Sequence, residues 1–225
     1  MPKSASIPAE EPSASRTFIP ETYSLATLTF DAGACTACDL YQRGTQVVFG
    51  EGPKSARLML IGEQPGDQED REGKPFVGPA GRLLDRVLAR VGLDRGDLYV
   101  TNAVKHFKWE PRGTRRLHVK PNASEVQACR AWLLAELSVI TPAMIVCLGA
   151  VAAQSFLGPT ISVIRDHGQI YAGTPWAPWL MATYHPSALL RMPDETTREA
   201  ALEAFTADLQ RAADTIARAS ASRAS

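Results

Sequence analysis

From residue 57 onward the apolar and polar positions of this chain settle into two alternating rhythms. Leu58-Met-Leu-Ile-Gly62 is an unbroken apolar run of buried-strand length, ended by Gly62 and Pro65. From Pro79 to Val91 the apolar residues recur at helical spacing (Leu83, Leu84, Val87, Leu88, Val91), and Pro79 suits a first helical turn. Leu98-Tyr-Val-Thr101 predicts a second strand, and Ser124 caps a helix running through Leu137 with Glu125 and Val126 in its first turn. Ala143-Met-Ile-Val-Cys-Leu148 predicts a third strand, after which Gly149 leads into a helix over 150–157. Trp179-Leu-Met-Ala-Thr183 reads as a fourth strand, and residues 195–217 as a closing amphipathic helix. Strands alternating with helices predict the α/β class, a three-layer α/β/α arrangement around a four-stranded, mainly parallel sheet.

The flanks differ. Residues 1–20, rich in Ser, Pro and Ala with Glu10 and Glu11, carry too little apolar surface to pack and are expected to form a disordered tail. Residues 21–31 start a helix or serve as a docking arm. The expected domain therefore spans 21–217, with a flexible end over 218–225. A chain of 225 residues with 45% hydrophobic content buries one good core. Lys+Arg and Asp+Glu both number 24, so a nucleic-acid partner has to be held by a local patch rather than by overall charge. There is no secretory apolar region, and no apolar run is long enough to span a bilayer. A monomer in the reducing cytoplasm, without membrane contact, is the expectation.

In that compartment cysteines read as metal or redox chemistry rather than as staples. Cys35-Thr-Ala-Cys38 is a CxxC pair, Cys129 lies in a helix far downstream, and His106 falls between them after the second strand. Thiolates at this spacing chelate soft metals or iron–sulfur clusters, and histidine can replace a cysteine at a cluster corner. A thioredoxin-type redox pair needs a strand before it and a helix opening at it, whereas Phe30-Asp-Ala-Gly-Ala precedes this one. Cys147, inside the third strand, reads as a small buried hydrophobe and is the alternative fourth ligand.

In open parallel sheets, sites gather at the carboxyl ends of the strands. The residues following the four strands are Gly62-Glu-Gln-Pro-Gly66, Asn102, Gly149-Ala and Tyr184-His-Pro-Ser187. Gly62 and Gly66 with Pro65 give a tight turn where backbone N–H groups approach a ligand, or they merely punctuate a loop. Phe76, in the Gly/Pro-rich loop that follows, is either a stacking platform for a base or core filling. The Asn102 amide offers a donor and an acceptor that match the O4 and N3–H edge of a uracil, although a lone Asn after a strand is often a turn residue. His185 stands beside Pro186 at the same rim, as a site residue or as a satisfied core histidine.

Together, Gly62-Glu-Gln-Pro-Gly66, Pro75-Phe-Val-Gly78, Thr101-Asn102, Ile145-Val-Cys-Leu-Gly149 and His185-Pro-Ser187 resemble the iron–sulfur uracil-DNA glycosylases of the family 4 type, over roughly residues 32–215. The resemblance implies a uracil-binding α/β/α domain with a [4Fe–4S] cluster held by Cys35, Cys38, His106 and Cys129. The third ligand departs from the pattern: that family has a cysteine after the lysine, and here Lys105 is followed by His106.

A second departure is the insert from Phe107 to Pro121, which ends Arg115-Arg116-Leu117-His118 and is similar to the loop of the X-type (UdgX-like) glycosylases. In that subgroup the loop histidine attacks deoxyribose C1′ and stays attached to the DNA; carried onto this chain it is His118. The implied activity is recognition of uracil in single-stranded DNA or as a flipped base, cleavage of the N-glycosidic bond, and a covalent adduct through His118. His185 would donate to the developing charge at uracil O2 and Asn102 would read the other edge. Glu63 would support the sugar cation or take a proton from His118, while Gln64 and Asp67 position the ribose or a water. Arg115 and Arg116 would favour neutral His118 by like-charge repulsion. Arg191 is a phosphate or loop contact. Against this stand a basic loop that only grips phosphate, with Lys105, Lys108, Arg112, Arg115, Arg116 and Lys120 facing one Glu110; an ordinary hydrolytic enzyme using Glu63 or Asp67; a non-catalytic uracil-DNA binder; and a redox protein.

Overall fold

The computed structural model describes residues 3–4 and 24–224, with side chains described over 24–219. The tail expected over 1–20 lies outside the described residues save for Lys3–Ser4, and Ser225 of the expected flexible end lies outside them too.

Chain order opens with β1 (Lys3–Ser4), α1 (Leu25–Ala32), β2 (Leu58–Gly62), α2 (Asp67–Glu72), α3 (Pro79–Arg90) and β3 (Tyr99–Asn102). A hairpin of β4 (Trp109–Arg112) and β5 (Arg115–His118) precedes α4 (Ala123–Ile140), β6 (Met144–Leu148) and α5 (Ala150–Leu157). Then come α6 (Val163–Asp166), β7 (Ile170–Ala172), β8 (Trp179–Thr183), α7 (Pro186–Leu190) and α8 (Glu195–Ala224). The main sheet has the order β1-β7-β8-β6-β2-β3. Its pairs β2–β3, β2–β6 and β6–β8 are parallel, and β7 joins β8 antiparallel.

The four expected strands are present, but the sheet is wider than four. It has five strands of three or more residues, and the two-residue β1 pairs beyond β7. The extra strand β7 is only Ile170–Ala172 and half-buried, so it lacks the apolar run that marks β2 and β6. The final helix also runs past the expected residue 217 to Ala224. Asn122, not Ser124, caps α4: its side chain accepts the Glu125 N–H at 2.9 Å while the Glu125 carboxylate accepts the Asn122 N–H at 2.7 Å. This reciprocal pair satisfies two orphan donors, and the Ser124 hydroxyl instead donates to Asn122 Oδ1 at 2.7 Å.

Side chains alternate across the pleat and so build two cores. Leu58, Leu60, Val100, Val146 and Met181 face α3, α7 and α8 through Leu84, Leu88, Leu189, Phe205 and Leu209. Met59, Ile61, Tyr99, Ile145, Cys147 and Leu180 face α4 and α5 through Leu133, Leu137, Ala152 and Phe156. A third cluster, Leu28, Leu40, Phe49, Val104, Cys129 and Trp132, seats α1 against α4. Burial on both faces explains why β2 and β6 read as continuous apolar runs.

The topology fixes where a site forms. From β2 the chain passes to β3 on one side and later returns to β6 and β8 on the other, so the strand order reverses at β2. The crevice opens at its carboxyl end, beside Gly62. Leu60→Ala, in the fully buried centre of β2, is expected to lower stability by about 2–5 kcal/mol. Urea unfolding should show an earlier midpoint with an unchanged slope.

Candidate active site

The carboxyl ends of β2, β3, β6 and β8 converge on one cleft of about 1270 Å³, lined by Glu63, Asn102, Gly149, Tyr184 and His185. Phe76, Asp67, Arg115, His118 and Arg191 complete its wall. At its floor Asn102 is only 2% exposed. Its Oδ1 is buried and meets no hydrogen-bond donor among the described residues. Such an orphan acceptor costs about 1–3 kcal/mol when left dry, so it marks a place where a donor is brought by something else. Gly62 permits this arrangement. A Cβ there would strike Asn102 Oδ1 and come within 2.6 Å of Phe76 Cζ.

Phe76 takes φ 55°, the left-handed region that a bulky residue rarely adopts. Held there, its ring lies 5.9 Å from the His185 ring with 30° between the planes. His185 in turn caps α7, its Nδ1 accepting the Ser187 N–H at 3.1 Å, with Ser187 Oγ 2.8 Å away. An Nδ1 that accepts leaves the proton on Nε2, which makes that atom a donor for the cleft. Burial pushes the His185 pKa down to about 4, with Arg191 and His118 adding to the shift and Glu63 opposing it. The imidazole is therefore neutral at physiological pH. Gly149, at φ 90°, leaves room for it, since a Cβ would stand 2.9 Å from His185 Cβ.

The segment expected to be a basic loop is a twisted hairpin. Trp109 pairs with His118 and Arg112 with Arg115. Two side chains lash it to the sheet. Gln64, buried, donates from Nε2 to the carbonyls of Lys108 (3.2 Å) and Val119 (3.0 Å) and accepts the Lys108 N–H at 3.1 Å. Arg116 reaches Asp67 at 2.5 Å and the fully buried Asp70 at 2.6 Å, and its guanidinium lies over the Phe107 and Trp109 rings at 5.4 and 5.5 Å. Thr45 Oγ1 also donates to Asp70, at 2.6 Å. So held, His118 stands 44% exposed at the cleft mouth, with Nε2 3.3 Å from Glu63 Oε1. Burial works to raise the Glu63 pKa, but the hydrogen bond with His118, aided by the electrostatic pull of His118, His185 and Lys120 around it, outweighs burial and holds the carboxyl below its ordinary value.

On the opposite side of Lys105 lies the thiol group. Cys35, Cys38, His106 and Cys129 line one small cavity together with Lys105 and Trp132. Trp132 Nε1–H points at Cys35 Sγ (3.1 Å), and the Lys105 backbone N–H at Cys129 Sγ (3.2 Å). Burial pushes the Cys129 thiol up to about 12 and raises Cys38, both against nearby hydrogen bonds. Burial also lowers the His106 pKa, with Asp70 opposing, and neutral imidazole is the ligand form. Cys147 sits in the α4/α5 core and not in this cavity. Among the described residues no three Cys, His, Asp or Glu side chains stand close enough to hold a single metal ion.

A profile of the Uracil DNA glycosylase superfamily matches residues 49–210. The chain belongs to the uracil DNA glycosylase superfamily. It is 39% identical over 175 residues to the type-4 uracil-DNA glycosylase of Thermotoga maritima, covering 75% of this chain and 84% of that one. It is 38% identical over 166 residues to the type-4 enzyme of Archaeoglobus fulgidus, covering 71% and 80%. A type-5 uracil-DNA glycosylase of Pyrobaculum aerophilum is 32% identical over 158 residues, covering 61% and 64%.

Within this superfamily member the cleft brings together Glu63, Phe76, Asn102, His118 and His185, with Arg115 and Arg191 exposed at the rim. Gln64 and Asp67 line the same cleft, and together with Arg116 they also hold the hairpin. The hydrogen bonds of Arg71 and Arg116 hold the Asp67 carboxyl below its ordinary value, against the effect of burial. Asp70, Thr45 and Ser187 escaped the sequence reading. Asp70 sits in Asp67-Gln-Glu-Asp-Arg-Glu72, whose charges read as a solvated helix face, and nothing local marks one of them as buried. The motif around His185 could have pointed to Ser187, since Pro186 places its N–H over the ring.

The tautomer of His185 is measurable. Nitrogen-resolved NMR of histidine-labelled protein should show an Nε2-protonated, neutral ring down to about pH 4. A midpoint near the ordinary 6.5 would mean that the ring enters the cleft as an imidazolium.

Proposed function

We propose that this protein is a uracil-DNA glycosylase that captures the deoxyribose it uncovers on His118. The observation that carries the reading is the buried, donorless Asn102 Oδ1, in the same cleft as the neutral His185 and the His118–Glu63 pair. Uracil supplies the missing donor at N3–H, and its O2 accepts from His185 Nε2–H. Cytosine has an acceptor at N3 and would leave Asn102 facing another lone pair. Reaching the base requires a single strand or a nucleotide flipped from the stack, at a cost of a few kcal/mol. Arg115, Lys120 and Arg191 at the rim suit the flanking phosphates.

Chemistry follows from placement. The C1′–N1 bond breaks with its electron pair going to uracil, whose developing charge at O2 is met by His185. The sugar acquires oxocarbenium character, and the ionised Glu63 stabilises it. The unprotonated nitrogen of His118 donates its lone pair to C1′, and Glu63 accepts the remaining ring proton, so the product is a neutral N-alkyl imidazole and uracil takes a proton from solvent. Since His118 occupies the side from which water would attack, the bond persists.

The resident cofactor in this reading is a [4Fe–4S] cluster held by Cys35, Cys38, His106 and Cys129. Three thiols and a neutral imidazole around one cavity suit it, and a cluster spreads its ligands more widely than one ion does. When bound, it fastens α1 to α4 and can exchange an electron; no step at the sugar passes through it. No described helix is long and apolar enough to cross a membrane. A monomer acting on uracil-containing DNA in the cytoplasm completes the proposal.

Incubation with labelled single-stranded uracil-DNA, then a denaturing gel, tests the adduct. A heat-stable shifted band is expected from the protein, and its loss from His118→Ser. Free uracil without a shifted band from the unmodified protein would replace trapping with hydrolysis, and neither product would leave a binding module.

A further inference from the structure

Behind Asn102 lies a charged pair that the chemistry above does not use. Lys105 is 1% exposed and Glu136 0%, and Lys105 Nζ stands 2.5 Å from Glu136 Oε2. The ammonium also donates to Thr101 Oγ1 (2.6 Å) and to the main-chain carbonyl of Asn102 (2.8 Å), so all three of its protons have acceptors. Glu136 Oε1 accepts from the Gly50 N–H (3.0 Å), the Tyr99 hydroxyl (3.0 Å) and the Thr101 hydroxyl (2.9 Å). The Lys105 backbone points its own N–H at Cys129 Sγ.

Two charges removed from water rarely improve on well-packed hydrocarbon for stability. What the pair adds is direction. β3 ends at Asn102, and the peptide that follows still donates its Ala103 N–H to the Gly62 carbonyl at 2.9 Å. The Asn102 amide cannot orient itself through Oδ1, which meets no donor among the described residues. Its peptide is held at two points instead, by the Gly62 carbonyl on the Ala103 N–H and, from behind, by Lys105 Nζ on the Asn102 carbonyl. If that peptide tips, Oδ1 leaves the line to a base, and the amide NH₂ can turn toward an acceptor.

We propose that the buried Lys105–Glu136 pair is the positioning device that sets the Asn102 amide to prefer uracil over cytosine. This rests on the reading of Asn102 as the uracil contact. Lys105 and Glu136 touch no substrate; they act through the Asn102 main chain.

The test is the ratio of affinities for single-stranded oligonucleotides carrying one 2′-fluoro-2′-deoxyuridine or one 2′-fluoro-2′-deoxycytidine, whose fluorine slows glycosidic cleavage. Fluorescence anisotropy gives the ratio, and thermal unfolding confirms the fold. The double variant Lys105→Met with Glu136→Gln leaves no net buried charge and is expected to narrow the ratio by about tenfold or more. The salt dependence of binding should stay unchanged, because the phosphate contacts are untouched. A cooperatively folded double variant that keeps the ratio overturns the proposal. Should that variant not fold, Thr101→Val removes the hydroxyl shared by both charges, and an unchanged ratio there overturns the proposal equally. Asn102→Ala separates the two levels. If it keeps the ratio, the uracil contact and the positioning role both fall; if it loses the ratio while the double variant keeps it, only the positioning role falls.

Discussion

A carbonyl oxygen that meets no donor among the described residues, set on the cleft floor at the end of a buried strand, is the constraint around which this molecule is arranged. A buried acceptor left without any hydrogen bond costs about 1–3 kcal/mol, and no described residue offers Asn102 Oδ1 a donor. The penalty turns into selectivity when a ligand offers an N–H at that place, since a ligand without one must bury the oxygen still unsatisfied. Such sites discriminate by far larger factors than apolar pockets do. Much of the local backbone serves to keep this oxygen where it is. Gly62 lacks the Cβ that would collide with it, and Phe76 accepts a left-handed φ so that its ring can lie beside it. His185 is fastened by Ser187 and kept neutral by burial, which places a second donor across the cleft without placing a charge there.

The reacting face is built on another principle. His118 is on a two-stranded hairpin outside the main sheet, and such hairpins are marginal alone. Its position comes from Gln64, which bonds the main chain at both ends of the hairpin, and from Arg116, which bridges Asp67 and Asp70 while lying over two aromatic rings. Gln64 and the two carboxylates that hold Arg116 all come from the segment that follows β2. The strand whose carboxyl end carries Glu63 thus also fixes the partner of Glu63. Glu63 and His118 meet at 3.3 Å because both are referenced to one turn.

How much of this the sequence shows depends on the range of the interaction that decides each feature. The β2 and β6 strands are legible because burial on both faces demands an apolar run, and α3 because one stripe of leucines and valines faces the core. The strand ends followed, and with them Glu63, Asn102 and His185. The hairpin is not legible from Trp109-Glu-Pro-Arg-Gly-Thr-Arg-Arg-Leu-His118, whose charges suggest solvent. It is shaped by contacts with residues about 44 to 66 positions away, such as Gln64 and the Arg43 carbonyl that accepts from Trp109 Nε1. For the same reason the bonds by which Gln64 and Asp67, at the cleft wall, also hold the hairpin could not be read from the sequence. Strand β7 is three half-buried residues, set by its neighbour β8 more than by its own pattern.

The separation of these two systems explains how one fold could serve either of two outcomes at the sugar. Base reading is done by groups built into strand ends and deep burial, which a change in the hairpin scarcely reaches. In the proposed reaction the group at the open side of C1′ would be His118, which rides on an appended hairpin held chiefly through Gln64 and Arg116. In the proposed reaction, an imidazole in place of a water at that side would turn release of the sugar into retention while the base contacts stayed the same. On that proposal the hairpin needs only to bring His118 within reach of Glu63, as it does at 3.3 Å. An exposed, lashed hairpin is sufficient for that, and a histidine buried in the core would have no route to a sugar outside the stack.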